Sequence, residues 1–265
     1  MTAETLLRLA LVPAAVWLAS LAARRFGHKV SGYLGGMPLI GGPITLFLAI
    51  DHGTDFAARS AVFTLAAVAA QAAHLLAFGA VGRRSRRWWL ALPAGWTGFA
   101  IVSAGVMQVE WSPALAGLAA AAGLAAAAYG LPHFHGSAPM PAIPRLELHL
   151  RLAMALALAA FILWGAARFG PVVSGVLLSL PVTGSIMPPF TLALYGPDAM
   201  ARLLRGFVFG LCGFATFFLV VAAAAPAWGL APAFCAALAA ALGAVFLATR
   251  AAHSFRNAVP PEELP

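Results

Sequence analysis

Apolar runs of about twenty residues, separated by short polar or basic turns, recur along the whole chain. A helix needs about 20 predominantly apolar residues, with a range of about 17–25, to cross the hydrocarbon core of a bilayer. Nine segments fall in that range: roughly 4–23, 30–50, 57–80, 88–107, 112–130, 151–167, 172–195, 203–225 and 229–249. Arg-Phe-Gly turns at 25–27 and 168–170 divide spans with almost no loop. The longest connection, 131–150, is rich in Pro, His and Gly and separates the fifth span from the sixth. The apolar start has no basic flank before it and no clear small-residue cleavage site. It reads as a retained first span and not as a signal peptide.

The pattern also repeats. Residues 25–59 align without a gap on 168–202, a shift of 143, and 14 of the 35 positions are identical. Among the identities are Val30, Gly32, Pro38, Gly41, Gly53 and Asp55, which recur as Val173, Gly175, Pro181, Gly184, Gly196 and Asp198. Composition bias alone would give about three or four matches. On the nine-span reading, spans one to four align with six to nine, and span five is left over as a linker. An odd offset of five puts the second copy into the membrane upside down.

The charges agree. Basic loops stay cytoplasmic, and Arg24, Arg25, Lys29, Arg83, Arg84, Arg86, Arg87, Arg145, Arg151, Arg202, Arg205, Arg250 and Arg256 fall on one side if the N-terminus is periplasmic. The other side holds Arg8, Arg59 and Arg168. The cluster Arg83-Arg84-Ser85-Arg86-Arg87 aligns with the uncharged Pro226-Ala227-Trp228-Gly229-Leu230. The orientation signal is therefore not copied with the rest.

Composition fits this picture. The chain is 62% hydrophobic and 9% charged, with a mean hydropathy of +0.91, whereas a soluble domain carries about 25% charged residues. The net charge of +8 lies in clusters between apolar runs and never alternates with aromatics on one face, so no nucleic-acid partner is expected. Cys212 and Cys235 lie within apolar runs and read as packing residues.

The candidate chemistry sits where the two copies match best. Span two contains Gly35-Gly36-Met37-Pro38-Leu39-Ile40-Gly41-Gly42-Pro43-Ile44-Thr45, and span seven contains Ser179-Leu180-Pro181-Val182-Thr183-Gly184-Ser185-Ile186-Met187-Pro188-Pro189-Phe190-Thr191. Proline removes a backbone donor and clashes with the preceding turn, and glycine weakens the helix further. The freed groups cannot face lipid, so they line a cavity or meet a neighbour. Paired broken helices in inverted repeats point to a substrate site, here with Pro38, Gly41, Gly42, Pro43, Thr45, Pro181, Thr183, Gly184, Ser185, Pro188 and Thr191 as candidates. The alternative is that these glycines and prolines serve only close packing and kinks. Gln71 and His74, three apart on span three, share a face and join the candidate set, with a structural hydrogen bond as the other reading of His74. No acidic or basic residue is read as buried at mid-depth. His133, His135 and His149 could ligate a metal, but no cysteine or acidic partner completes a site, so a solvated loop is expected. No cofactor motif and no nucleophile–base set is present, so no enzyme activity is expected.

The stretch RFGPVVSGVLLSLPVTGSIMPPFTLALYGPDAMARLLRGFVFGL resembles small four-helix bacterial membrane proteins of the GlpM type. They share a Ser/Pro-interrupted second helix, a short polar turn and a third helix that begins near a basic residue. The resemblance covers about 85 residues and implies architecture more than activity. The whole plan is also similar to fused dual-topology proteins. Small multidrug exporters rely on a membrane-embedded glutamate, which neither span one nor span six supplies at depth. Fluoride channels share the four-one-four plan, and Gly210 to Phe218 is similar to their third-helix break, but their Asn and Arg have no match here.

The expectation is thus an all-α integral membrane protein of nine transmembrane helices. Its parts are a four-helix repeat (1–107), a linking helix and cytoplasmic loop (108–150), and a second, inverted repeat (151–265). The expected function is secondary transport of a small polar or amphipathic molecule by alternating access, in the bacterial inner membrane with a cytoplasmic C-terminus. A pore of fused dual-topology type and a non-catalytic assembly or accessory protein are the alternatives. The lipid bilayer and an unknown small-molecule substrate are the expected partners, and a homo-oligomer is compatible with the reading.

Overall fold

The computed structural model describes residues 33–131 and 145–258, together with isolated positions 14 and 17. The expected first span, the turn at 25–27 and the loop bearing His133 and His135 lie outside the described residues. Among those described, the fold is all-helical: α1 (Gly41–His52), α2 (Thr54–Ala66), α3 (Val68–Ser85), α4 (Trp88–Val106), α5 (Pro113–Gly130), α6 (Arg145–Leu178), α7 (Val182–Trp228) and α8 (Leu230–Ala258). A helical turn at 33–36 precedes α1.

Among the described residues, six helical stretches are long and apolar enough to cross a membrane: Tyr33–His52, Thr54–Ser85, Trp88–Val106, Pro113–Gly130, Leu146–Trp228 and Leu230–Arg250. At 1.5 Å per residue the 83 residues of Leu146–Trp228 far exceed one crossing. The backbone divides that stretch at Gly170 (φ 71°) and Gly196 (φ 81°). Large apolar side chains such as Ile101, Leu118, Trp164 and Leu247 are exposed, as a surface solvated by lipid tails requires.

Polar groups within the helices are disposed of locally. The hydroxyls of Thr45, Thr64, Thr97 and Thr216 each donate to the carbonyl four residues earlier. Ser112 caps α5 by accepting from the Leu115 amide, with Pro113 at the first helical position. The Trp111 indole donates to Val106 O at 2.8 Å and closes the end of α4, while Arg205 donates to Leu131 O at 2.8 Å after α5.

The centre is α2 and α3, where 78% of the most apolar stretch is buried, against 17% for both α5 and α8. α2 packs on α6 and α7, and α4, α5 and α8 lie at the periphery. Helix junctions recur at the sequence offset. Gly53 (φ 88°) matches Gly196 (φ 81°), since 196 − 53 = 143, and Arg86 (φ 55°) matches Gly229 (φ 76°), since 229 − 86 = 143. Arg86 is the single non-glycine residue in this left-handed region among those described.

One boundary differs from expectation. The connection after α5 ends by residue 145, where α6 begins, so Arg151 lies well inside a helix and not beside a loop.

Candidate functional site

Both proline breaks form, and they have the same hydrogen bonds. Pro38 cannot donate to Leu34 O, which instead accepts from the Met37 amide at 3.3 Å; Pro181 leaves Leu177 O to the Leu180 amide at 3.1 Å. An amide then bonds two residues back across each proline, Leu39 to Met37 O at 2.8 Å and Val182 to Leu180 O at 2.7 Å. Pro181 has φ −77° and ψ 56°, the conformation of an inverse γ-turn. Helical bonding resumes with Gly42 to Pro38 O at 2.8 Å and Ser185 to Pro181 O at 2.7 Å. Each of the three bonds in one break is shifted by 143 from its partner in the other.

α3 supplies the donors that the second break lacks. Gln71 Nε2 donates to Ser179 O at 2.7 Å. His74, fully buried, reaches Gly184 O at 3.4 Å in the tautomer protonated on Nε2. The residue four beyond Gly184 is Pro188, which has no amide hydrogen to give that carbonyl. The two side chains that share a face of α3 thus hold two carbonyls of one interrupted segment. Gly95 makes room for this: a Cβ there would come within 2.9 Å of the His74 ring. A Gln71→Leu variant is expected to lose about 1–3 kcal/mol, because Ser179 O would be buried without a donor. Denaturation in detergent, compared with wild type, measures it.

Between the breaks lies a cavity of about 70 Å³. Of the candidate residues, Gly41, Gln71, Pro181, Thr183 and Gly184 line it. Pro38, Gly42, Pro43, Thr45, His74, Ser185, Pro188 and Thr191 do not. Thr45 is turned to its own helix by its bond to Gly41 O, and Thr191 is buried. The remaining walls are mainly apolar, including Leu75, Leu158, Phe207, Leu211 and Phe214. Six pairs of lining residues stand 143 apart: Gly35/Leu178, Met37/Leu180, Leu39/Val182, Ile40/Thr183, Gly41/Gly184 and Gln71/Phe214.

Arg151 also borders the cavity. It is 5% exposed and ion-paired with Glu147, also 5% exposed, one turn earlier on α6. The sequence places no acidic or basic residue at mid-depth; the structure buries Glu147 and Arg151 among the helices, near the start of α6. The signal was present in the sequence, because Glu147 and Arg151 stand 143 residues after Glu4 and Arg8.

His149 is exposed, and no group of three or more His, Cys, Asp or Glu converges among the described residues. Cys212 and Cys235 are both free thiols.

No known protein resolves the site. Comparison returned no matching family model, no matching curated protein and no matching solved structure. The functional reading therefore rests on the site itself.

Proposed function

We propose that this chain is a secondary transporter of a small molecule, built as two inverted four-helix halves joined by α5. On this reading it has nine spans, the first within 4–23, in a bacterial inner membrane with the N-terminus periplasmic. The observation that carries the proposal is the cavity bordered by six residue pairs at one constant offset. A site on the axis relating two repeats is what alternating access requires, since rocking one half against the other exposes it to each side in turn.

The direction of the helices supports the inversion. Along α2 and α3, Thr64 donates to Gly175 O, Gln71 to Ser179 O and His74 to Gly184 O, so the two segments advance together. Gly35 lies against Phe207, Gly36 against Leu211 and Gly41 against Phe218, so these two segments also advance together. The chain turns back from α1 into α2 at Gly53, and the two helices pack on each other. The break before α1 and the break before α7 therefore run in opposite senses. Each half lays its broken helix along the other half's long helix, the reciprocal contact of a two-fold pair.

Purified protein in liposomes should show solute counterflow, an exchange against a gradient that a fixed pore does not give. Pro38→Ala and Pro181→Ala are each expected to cut that exchange at least about tenfold, because the freed carbonyls are recaptured by a continuous helix. Unchanged exchange in both variants would remove the breaks from the mechanism. Flux without counterflow would favour a pore, and a stable complex without flux would favour an accessory role.

A further inference from the structure

We infer that the cavity takes a small organic monoanion, a short-chain carboxylate, with Arg151 as its charge partner. This deepens the transport reading and rests on it for the location of the site. An ionisable side chain buried among membrane-spanning helices is costly and marks a substrate path or a charge partner. Arg151 is such a group, it borders the cavity, and Glu147 fixes it from one turn away. A guanidinium is planar and weakly hydrated, and its forked donors match the two oxygens of a carboxylate.

The rest of the wall fits the same ligand. Gln71 and Thr183 are polar residues of the lining. Two helix N-termini open on it, α1 at Gly41 and α7 at Val182, and neither has a side-chain cap. The positive dipole ends of the two helices favour an anion. The apolar remainder, Phe214 among it, suits a short hydrocarbon group and not a second charge. About 70 Å³ is half of the roughly 150 Å³ of a cavity that admits benzene, room for a ligand of a few heavy atoms.

The sequence gives independent support. Glu4-Thr5-Leu6-Leu7-Arg8 and Glu147-Leu148-His149-Leu150-Arg151 carry the same acid–base spacing, 143 residues apart. The pair therefore belongs to the repeated unit and not to the loop that precedes α6.

Calorimetry on the purified full chain in detergent, with acetate as the probe, tests this without any need for transport. Acetate should bind, and acetamide and methylammonium, of similar size, should bind at least about tenfold more weakly. An Arg151→Gln variant should lower acetate affinity about 10- to 100-fold, the range for a hydrogen bond to a charged group. Because that variant strands Glu147, Glu147→Gln/Arg151→Gln is measured beside it; it removes both charges and should lose acetate to the same extent. Equal binding of acetate and acetamide, acetate affinity retained in a folded double variant, or no acetate binding to the folded wild type would overturn the assignment. Labelled-acetate counterflow, corrected against protein-free liposomes, separates the two readings. Acetate binding without exchange would overturn transport and keep the anion site. Exchange of a neutral solute without acetate binding would do the reverse.

Discussion

Glu147→Gln is expected to cost about 3–5 kcal/mol of stability, the usual penalty for removing one member of a buried ion pair. Both partners are 5% exposed, and they face each other across one turn of α6. Removing the carboxylate leaves a guanidinium in a medium that solvates it poorly. A Glu147→Met/Arg151→Met double variant should recover most of the loss, because apolar side chains of similar bulk carry no desolvation penalty. Thermal unfolding of the three proteins in one detergent, followed by tryptophan fluorescence, gives the comparison. If Glu147→Gln unfolds within about 1 kcal/mol of wild type, the range of an exposed pair, Arg151 is reached by water and the burial described here is wrong.

Gly210→Ala is the second large effect, a loss of about 3 kcal/mol or more, at the upper end for inserting a methyl into a packed interior. A Cβ at Gly210 would lie 2.2 Å from Tyr33 O and 2.7 Å from Gly36 Cα. Both are backbone atoms, so no side chain can swing away, and the turn at 33–36 has to lift off α7. Since that turn leads into the first break, the variant should also lose ligand binding. Gly117→Ala is the control: its nearest neighbour is Leu219 Cδ1 at 3.8 Å, and the helix-propensity gain of up to about 1 kcal/mol should appear. Equal melting of the two variants would mean that the close approach at Gly36 and Gly210 is not present in solution.

The parts of this molecule differ in how far they can be read from one chain of letters. The breaks are legible because proline acts on its own backbone: the missing amide at Pro38 or Pro181 is a local fact. Helix α4 follows its apolar run closely, Trp88–Val106 against an expected 88–107. Arg151 was misplaced for a definite reason. Its helix starts earlier than the apolar run does, so a charge read as flanking the run is inside the fold. The roles of Gln71 and His74 were half legible. Spacing puts them on one face, but their carbonyl partners are 108 and 110 residues away, beyond any local pattern. Thr45 is a candidate site residue by its place in span two, but its hydroxyl donates to the helix carbonyl of Gly41.

The mismatch of Gln71 with Phe214 has a consequence for any rocking motion. If two inverted halves were identical in sequence, exchanging their conformations would convert an outward-facing molecule into an inward-facing one of equal energy. The populations would then be even. Here the second break is tied to α3 by Gln71 Nε2 and Ser179 O, while at the offset position the phenyl ring of Phe214, tilted against Phe218, stands where a donor would have to be. On the proposed transport reading the two poses are therefore not mirror states. One such tie, worth about 1 kcal/mol, is enough to skew them roughly fivefold, so on the transport reading the resting side of the empty protein follows from the α3 donors Gln71 and His74, which have no counterpart in the second half.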